Sequence, residues 1–237
     1  MSDTAQFGLP LLAAAQAQKH VTVNEALVRL DALARLRVVS AGLAMPPLSA
    51  NEGACYLVAN TATGDWAGHA GQVAIWINGG WSFAAPWRGW TAFDEASGVT
   101  LLFDGAEWIA DAAAASTGGA ATLLRVVEFD HVVTAGTGST TLAAIPGQSQ
   151  VTGVSARVIV PITGTATGWS LGVAGATNRY GSGLGLAQDS YALGLSGTPV
   201  TYYADTPLVL TAEGGEFAAG AVRIALHLTA IRPPRAV

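Results

Sequence analysis

Residues 76–81, Trp-Ile-Asn-Gly-Gly-Trp, and residues 103–108, Phe-Asp-Gly-Ala-Glu-Trp, each place a turn dipeptide between aromatic side chains. Asn-Gly and Asp-Gly between short apolar runs are strong hairpin signals, because both central residues of a type I′ turn need a positive φ. Two such hairpins in succession predict a small antiparallel sheet. Its tryptophans are expected to be mostly buried at Trp76, Trp81 and Trp108 and more exposed at Trp87 and Trp90.

The composition favours a chain that assembles with other chains. Of its 237 residues, 51% are hydrophobic and only 11% are charged, whereas about a quarter is usual. A monomer with so few charges exposes much apolar surface and tends to associate. The net charge of −5 and the lack of any basic block exclude the electrostatic footprint of a nucleic-acid-binding protein.

The number of cysteines and the apolar N-terminal run indicate in which cellular compartment the chain folds. Cys55 is the sole cysteine, so no intrachain disulfide can form, which fits folding in a reducing cytoplasm. The apolar run from Leu9 to Ala15 is preceded by Asp3 and by no basic residue. It is too short to span a membrane and makes a poor signal peptide, so we expect no membrane insertion.

Residues 23–37, VNEALVRLDALARLR, predict a helix. Asn24 is the expected N-cap, with Glu25 in the first turn. Leu27, Leu30 and Leu33, together with Ala34, form a narrow apolar stripe. Such a stripe suits packing against sister helices in an oligomer, and it suits packing on the chain's own sheet equally well.

The rest of the chain predicts strands. Residues 54–60 have the pattern of a buried strand, and residues 112–121, AAAASTGGAA, resemble a linker. Beyond the linker, alternating apolar residues and turn signals about every ten residues favour a β-sandwich or jelly roll. We therefore expect a mainly β protein with one short N-terminal helix and a small Trp-rich antiparallel domain. The expected segments are 1–42 for attachment and trimerisation, 43–111 for the Trp-rich hairpins, and 122–237 for the C-terminal sandwich.

Patterns typical of catalysis are present but lack their context. Residues 168–172, Gly-Trp-Ser-Leu-Gly, match a nucleophile elbow, which functions only at a strand-to-helix turn of an α/β sheet. The histidines have no metal-ligand spacing, so neither a metal nor a cofactor is expected. The carboxylate pairs leave a glycosidase open, although solvated turn residues are the simpler interpretation. Those pairs are Asp94 with Glu95 and Glu213 with Glu216.

Residues 176–183 predict a polar loop suited to saccharides. Asn178 and Arg179 offer planar hydrogen-bond donors and Tyr180 offers a ring, between glycines. Neutral sugars are held by such donors together with a stacked aromatic side chain. The alternative is a turn in which Arg179 pairs with a local carboxylate such as Asp189. Further candidate contacts are Trp169, Tyr202 and Tyr203.

The first 110 residues or so contain a series of motifs in a fixed order. They are Leu9-Pro10, Gln16-Ala17-Gln18-Lys19-His20, Asn24-Glu25-Ala26, the leucine-spaced helix, Gly64-Asp65-Trp66-Ala67-Gly68-His69-Ala70-Gly71, and FDGAEW, which ends at Trp108. In these motifs the chain resembles an alphaproteobacterial family long described only as a domain of unknown function. Members of that family occur in prophages and in gene transfer agents, the phage-like particles of Rhodobacter and relatives.

This resemblance implies a virion-surface protein, a tail fibre or head spike that attaches to host capsular or other surface polysaccharide. Its N-terminal segment would contact other fibre, baseplate or capsid proteins, with assembly in the bacterial cytoplasm and release by lysis. The low charge and the narrow leucine stripe, supported by this resemblance, predict a homotrimer with the helix from Val23 to Leu36 at or near the threefold axis. The family has no agreed catalytic residues, so none are carried over to this chain. Because the catalytic patterns in the sequence lack their structural context, we expect a binding protein and not an enzyme. A capsule depolymerase and a purely structural connector are the alternatives.

Overall fold

The computed structural model describes residues 3–5, 8–12 and 19–236. Gln16, Ala17 and Gln18 of the first family motif lie outside these residues. The chain divides into two compact units, the first made of residues 1–119 with 235–237 and the second of residues 120–234. Strands predominate, and one α-helix is present in the described part, which confirms the predicted fold class. The predicted three-segment division stays a prediction.

The first unit contains the helix and two small sheets. The elements are α1 (Lys19–Ala34), β1 (Arg37–Val38), β2 (Cys55–Leu57), β3 (Val73–Ile77), β4 (Gly80–Ala84), β5 (Thr91–Asp94), β6 (Val99–Phe103), β7 (Trp108–Ala110) and β8 (Ala112–Ala115). One sheet pairs β2, β3 and β4 in an antiparallel order, and the other has the order β1-β5-β6-β7, with β1 and β5 parallel. A 3-10 turn lies at Gly64–Trp66.

The hairpin between β3 and β4 is the predicted one. Asn78 and Gly79 have φ values of 53° and 76°, as a two-residue type I′ turn requires. Trp76 and Trp81 are directly opposite each other, and their ring centroids lie 4.9 Å apart. Both tryptophans are partly buried, so the turn and the aromatic pair stabilise the same register.

The Asp104-Gly105 turn differs from the prediction. Phe103 pairs with Trp108, so four residues form the loop, and Gly105 adopts a positive φ of 105° whereas Asp104 does not. The Asp104 carboxylate accepts hydrogen bonds from the backbone N–H groups of Ala106, at 2.9 Å, and Glu107, at 3.0 Å. A side chain that bonds the backbone ahead of it favours this wider turn over a type I′ turn.

The tryptophans follow the expected order of exposure with one difference. Trp66 is completely buried, and Trp108 is partly buried. Trp87 exposes 75% of its surface, as expected. Trp90 is less exposed than expected, because it packs against the core beneath α1.

Helix α1 begins at Lys19, so Asn24 lies inside the helix and is not its N-cap. The Asn24 amide instead bonds the backbone of Leu12, accepting from its N–H at 2.8 Å and donating to its oxygen at 3.0 Å. Among the helical side chains that the structure describes, those of residues 23–34, Asp31 and Ala32 are buried. Asp31 accepts a hydrogen bond of 2.8 Å from the Thr4 hydroxyl, which fixes the N-terminal turn on the helix.

We expect Gly79→Val to destabilise the first unit by about 1–2 kcal/mol, because a side chain at this positive φ is strained. No atom lies within 4 Å of the Cβ that would be added, so the cost arises from the backbone and not from crowding. Urea unfolding followed by tryptophan fluorescence measures it. Asn78→Gly is the matched control and should be tolerated. Equal stability of the Val variant and the native protein would contradict the turn assignment.

The second unit is an eight-stranded sandwich. The strands are β9 (Ala121–Val132), β10 (Gly138–Ile145), β11 (Ser149–Gly164), β12 (Gly168–Val173), β13 (Ala176–Leu184), β14 (Tyr191–Tyr202), β15 (Thr206–Glu213) and β16 (Phe217–Arg232). Strands β10, β15, β12 and β13 are neighbours in that order, and strands β14, β11, β16 and β9 are neighbours in a second sheet. Counted along this unit from β9 as the first strand, the first sheet has the order second-seventh-fourth-fifth and the second sheet has the order sixth-third-eighth-first. These two orders are the topology of a jelly roll.

The core of the jelly roll lies between its two sheets. Leu208 and Leu210 of β15 face Ile224 and Leu226 of β16, and all four are fully buried. The predicted alternation of β16 is confirmed, since Arg223 points away from this core. The predicted linker differs in part, because residues 112–115 form β8 and the boundary between the units follows residue 119.

Candidate functional site

The segment predicted as a saccharide-binding loop is a strand. Residues 176–184 form β13, which pairs with β12 from Val173 opposite Ala176 to Trp169 opposite Leu184. The tight connection between the two strands, with Gly175 at a φ of 80°, turns the chain directly back along β12. Strand β13 is the last strand of its sheet, and near Tyr180 its backbone lies close to β14, because a Cβ added to Gly194 would lie 2.2 Å from the Tyr180 backbone oxygen.

The exposed part of β13 is polar. Thr177, Asn178 and Arg179 are consecutive and exposed. Among the described residues, neither the Asn178 amide nor the Arg179 guanidinium has a hydrogen-bond or ion-pair partner. The alternative pairing of Arg179 with Asp189 is not formed, because Asp189 lies 4.0 Å from Arg157, which also donates to its backbone oxygen.

Three of the predicted sugar-contacting rings lie in the core instead of on the surface. Trp169 is 1% exposed, Tyr180 is 2% exposed and Tyr202 is 8% exposed. The hydroxyl groups of Tyr180 and Tyr202 are hydrogen-bonded at 2.8 Å, and the Trp169 indole N–H donates to the Gly185 oxygen at 3.0 Å. Burial, together with the bond to Tyr202, raises the pKa of Tyr180, so its phenol stays neutral. Their polar atoms are satisfied inside the sandwich, and these rings are not available for stacking at the surface.

Tyr203 is the predicted aromatic residue that remains accessible. It exposes 77% of its surface in the connection from β14 to β15. Its backbone oxygen accepts a hydrogen bond of 3.2 Å from the Gln148 amide, which fixes the turn. No hydrogen bond or ion pair within the described residues joins Tyr203 to Asn178 or Arg179. The exposed candidates therefore lie at two separate surface sites. One is made of residues 177–179 of β13, which we call the β13 edge, and the other is the connection that contains Tyr203, which we call the Tyr203 turn.

Sequence reasoning missed the residue that holds β13 in place. The Glu213 carboxylate, at the end of β15, accepts the Gly183 N–H at 3.0 and 3.2 Å. The sequence pattern indicates Glu213 only as a possible catalytic acid. No local sequence signal links it to Gly183, because the two residues are 30 positions apart.

The other patterns associated with catalysis have structural contacts. Residues 168–172 lie within β12, and the chain continues into a β-hairpin, so Ser170 is not at a strand-to-helix turn. Asp94 accepts hydrogen bonds from the backbone N–H of Ala96 and the hydroxyl of Ser97, and Glu95 is paired with Arg37 at 3.2 Å.

Three histidines make local contacts. The His131 ring lies 2.8 Å from the Ser139 hydroxyl, and burial lowers the pKa of this histidine. His227 lies 3.0 Å from the Ser155 hydroxyl, and His69 stacks on Phe83 at 3.6 Å. Within the described residues, no three His, Cys, Asp or Glu side chains converge as a metal site would require.

The predicted oligomerisation stripe is divided between two environments. Leu33 packs against the core of the first unit, and Leu27 is partly buried. Leu30 remains 58% exposed, and Val23 on the same helix is 41% exposed. The helix thus packs on its own sheet and still presents an apolar surface outward.

A family model matches part of the first unit. Residues 23–109 match the model of a family described as "Protein of unknown function (DUF2793)". Among solved structures, a chain of the cyanophage Pam1 capsid asymmetric unit is similar at 23% identity and a TM-score of 0.31, over 47% of this chain and 84% of that chain. This is a weak likeness to a phage capsid component. No curated protein matches the chain.

The lengths and compositions of the helices bear on membrane insertion. None of the helices in the described residues has the length and apolar character needed to cross a membrane.

Proposed function

We propose that the chain is a surface subunit of a phage-like particle, a tail fibre or head spike, that attaches the particle to host-cell polysaccharide. The resemblance of residues 9–108 to proteins of prophages and gene transfer agents supports the location. The observation that carries the binding role is the exposed edge of β13, where Asn178 and Arg179 present donors that no described residue uses.

The chemistry of this edge suits a neutral or weakly acidic sugar. An amide and a guanidinium supply several donors in fixed planes, which match the hydroxyl and carboxylate oxygens of saccharides. Of the four aromatic residues predicted to contact sugar, Trp169, Tyr180 and Tyr202 are core residues and Tyr203 is exposed. We therefore assign hydrogen bonding to the β13 edge and stacking to the Tyr203 turn.

Assembly would strengthen a weak site of this kind. In the proposed homotrimer, Leu27 and Leu30 contact neighbouring copies, and the N-terminal segment contacts other proteins of the particle. Three linked sites gain affinity because, after the first contact, the others bind at a high effective concentration. The proposal includes no hydrolysis, so the length of the polysaccharide should not change during binding.

Replacement of both Asn178 and Arg179 with Ala should weaken binding of the full-length protein to capsule-bearing cells at least tenfold, because a charged and a neutral hydrogen-bonding group are lost together. Flow cytometry with the labelled protein measures the binding. Both side chains are exposed, so the melting temperature should not change.

Gln188→Ala is the matched control, because it removes another exposed polar side chain from the connection between β13 and β14. Equal binding by the double variant and the native protein would exclude the β13 edge. Equal binding to cells without capsule would exclude the polysaccharide as receptor. Shortening of the purified polymer would favour a depolymerase instead.

A further inference from the structure

The sheet of β14, β11, β16 and β9 has an unusually apolar outer face. In a sandwich, the inner face of a sheet packs on the core and the outer face normally carries polar side chains. Here all four strands turn large apolar side chains outward, with exposures from 52% for Val160 to 85% for Leu195. We call this surface the leucine-rich face. Its exposed apolar residues are Leu124, Val126, Val132, Val160, Tyr191, Leu193, Leu195 and Ile231.

Strand β14 shows that this orientation is built into the fold. Tyr191, Leu193 and Leu195 point outward, whereas the residues between them that point inward are Ala192 and Gly194. A Cβ on Gly194 would lie 2.2 Å from the Tyr180 backbone oxygen, so no side chain fits on the inner side. The strand therefore keeps its large apolar residues on the side where its own chain leaves them uncovered.

The charges on the leucine-rich face are paired within one copy. Arg223 donates to both Asp130 oxygens, at 2.7 and 2.9 Å, and lies 3.8 Å from Glu128. Arg157 lies over the Tyr191 ring, 5.6 Å from its centre. The face thus has no excess of one charge that would select a strongly anionic or cationic partner. The face is compatible with a partner surface that has the same mixture of paired charges and apolar groups. A second copy of this chain has such a surface.

The size of the surface also suits a protein interface. Eight exposed apolar residues, each exposing on the order of 100 Å², approach the ~800 Å² per partner that is typical of a stable complex. Tyr191, Leu193 and Leu195 are successive outward residues of β14, and Leu124 and Val126 are successive outward residues of β9. Monomeric proteins rarely leave large apolar patches exposed to water. Burial of leucine side chains between copies would supply the main driving force.

We propose that the leucine-rich face is the contact between copies of this chain in the second unit. This inference goes beyond the proposed function, which assigns assembly to α1. It places a further interface on the jelly roll and leaves the β13 edge, on the other sheet, free for the receptor. Copies are then joined through their C-terminal halves as well.

Light scattering of the full-length protein between 1 and 100 μM, a range of about two decades, tests the proposal. The native chain should have the mass of an assembly of two or more copies. Leu193→Ala with Leu195→Ala should raise the dissociation constant at least tenfold, because two leucines lose their burial at the interface. Leu193→Asp should dissociate the assembly more strongly, because it would bury an unpaired charge. Neither change touches the core, so circular dichroism should be unchanged.

Leu142→Asp is the matched control, because this leucine is 102% exposed on β10 of the opposite sheet and should not alter the mass. Leu30→Asp tests the helix separately. A monomeric native chain, or a double-alanine variant with the native dissociation constant, would overturn the proposal. Loss of cell binding by that variant at unchanged mass would assign the face to another partner and would equally overturn it.

Discussion

Trp169→Ala should lower the free energy of unfolding of the jelly roll by about 3–5 kcal/mol, the usual cost of truncating a buried aromatic residue. The ring is 1% exposed and lies between the two sheets. Its removal leaves a cavity, and the Gly185 oxygen loses its donor at 3.0 Å. Urea unfolding followed by circular dichroism, which reports on the strands, measures the change.

This variant also separates two roles for the same residue. If Trp169 contacted a saccharide from the surface, its replacement would weaken binding and leave stability unchanged. Because the ring is buried, the structure predicts the opposite result: the replacement lowers the stability, and any change in binding is a consequence of that loss. Trp169→Phe is the control, because it keeps most of the ring volume and loses the N–H donor, so its cost should be smaller. Native stability of Trp169→Ala would contradict the core assignment.

The sequence correctly predicted those features that depend on neighbouring residues in the chain. Asn78-Gly79 forms the expected type I′ turn, because two residues that tolerate positive φ are enough to define it. The alternation from Val222 to Leu228 in β16 predicted which side chains face the core. In contrast, Asp104-Gly105 contains a similar dipeptide and forms a wider turn, because the Asp104 side chain bonds the backbone ahead of it.

The candidate site depended on contacts between distant residues, and here the sequence was insufficient. The glycines around Tyr180 are typical of an exposed loop, yet the ring is buried against Tyr202, 22 positions away. Polarity alone indicated that Asn178 and Arg179 are exposed. The amide of Asn178 and the charged guanidinium of Arg179 are both costly to bury without a partner. The outward leucines of β14 had a visible period of two, but the pattern does not tell which side faces the core.

Arg235→Ala should lower the melting temperature of the first unit and make it more sensitive to acid. Residue 235 belongs to this unit although it follows the jelly roll in the chain. Its guanidinium donates to the Asp104 carboxylate and to the Thr117 oxygen, and lies 3.3 Å from the Glu107 carboxylate. The Asp104 side chain is fully buried, so removal of the arginine leaves a buried carboxylate without its cation.

The sign of the pH effect follows from the pKa of Asp104. Burial alone would raise it, but the backbone N–H groups of Glu107 and Ala106 and the Arg235 guanidinium together lower it below its ordinary value. A carboxyl whose pKa is lowered by folding adds stability above its unfolded pKa of about 4, and that stability is lost as the pH falls through the folded value. Without Arg235 the folded pKa rises, so the loss begins at higher pH.

Melting curves from pH 7 down to about pH 2, a range that includes the ordinary carboxyl pKa, measure both effects. At pH 7 the variant should melt several degrees lower than the native protein, and its acid-unfolding midpoint should lie at higher pH. Arg235→Lys should be intermediate, because it keeps the charge but not the planar donors that reach two groups at once. Arg35→Ala removes an exposed arginine of the same unit and should leave both quantities unchanged. If Arg235→Ala behaves as Arg35→Ala does, the C-terminal arginine does not stabilise the turn at Asp104.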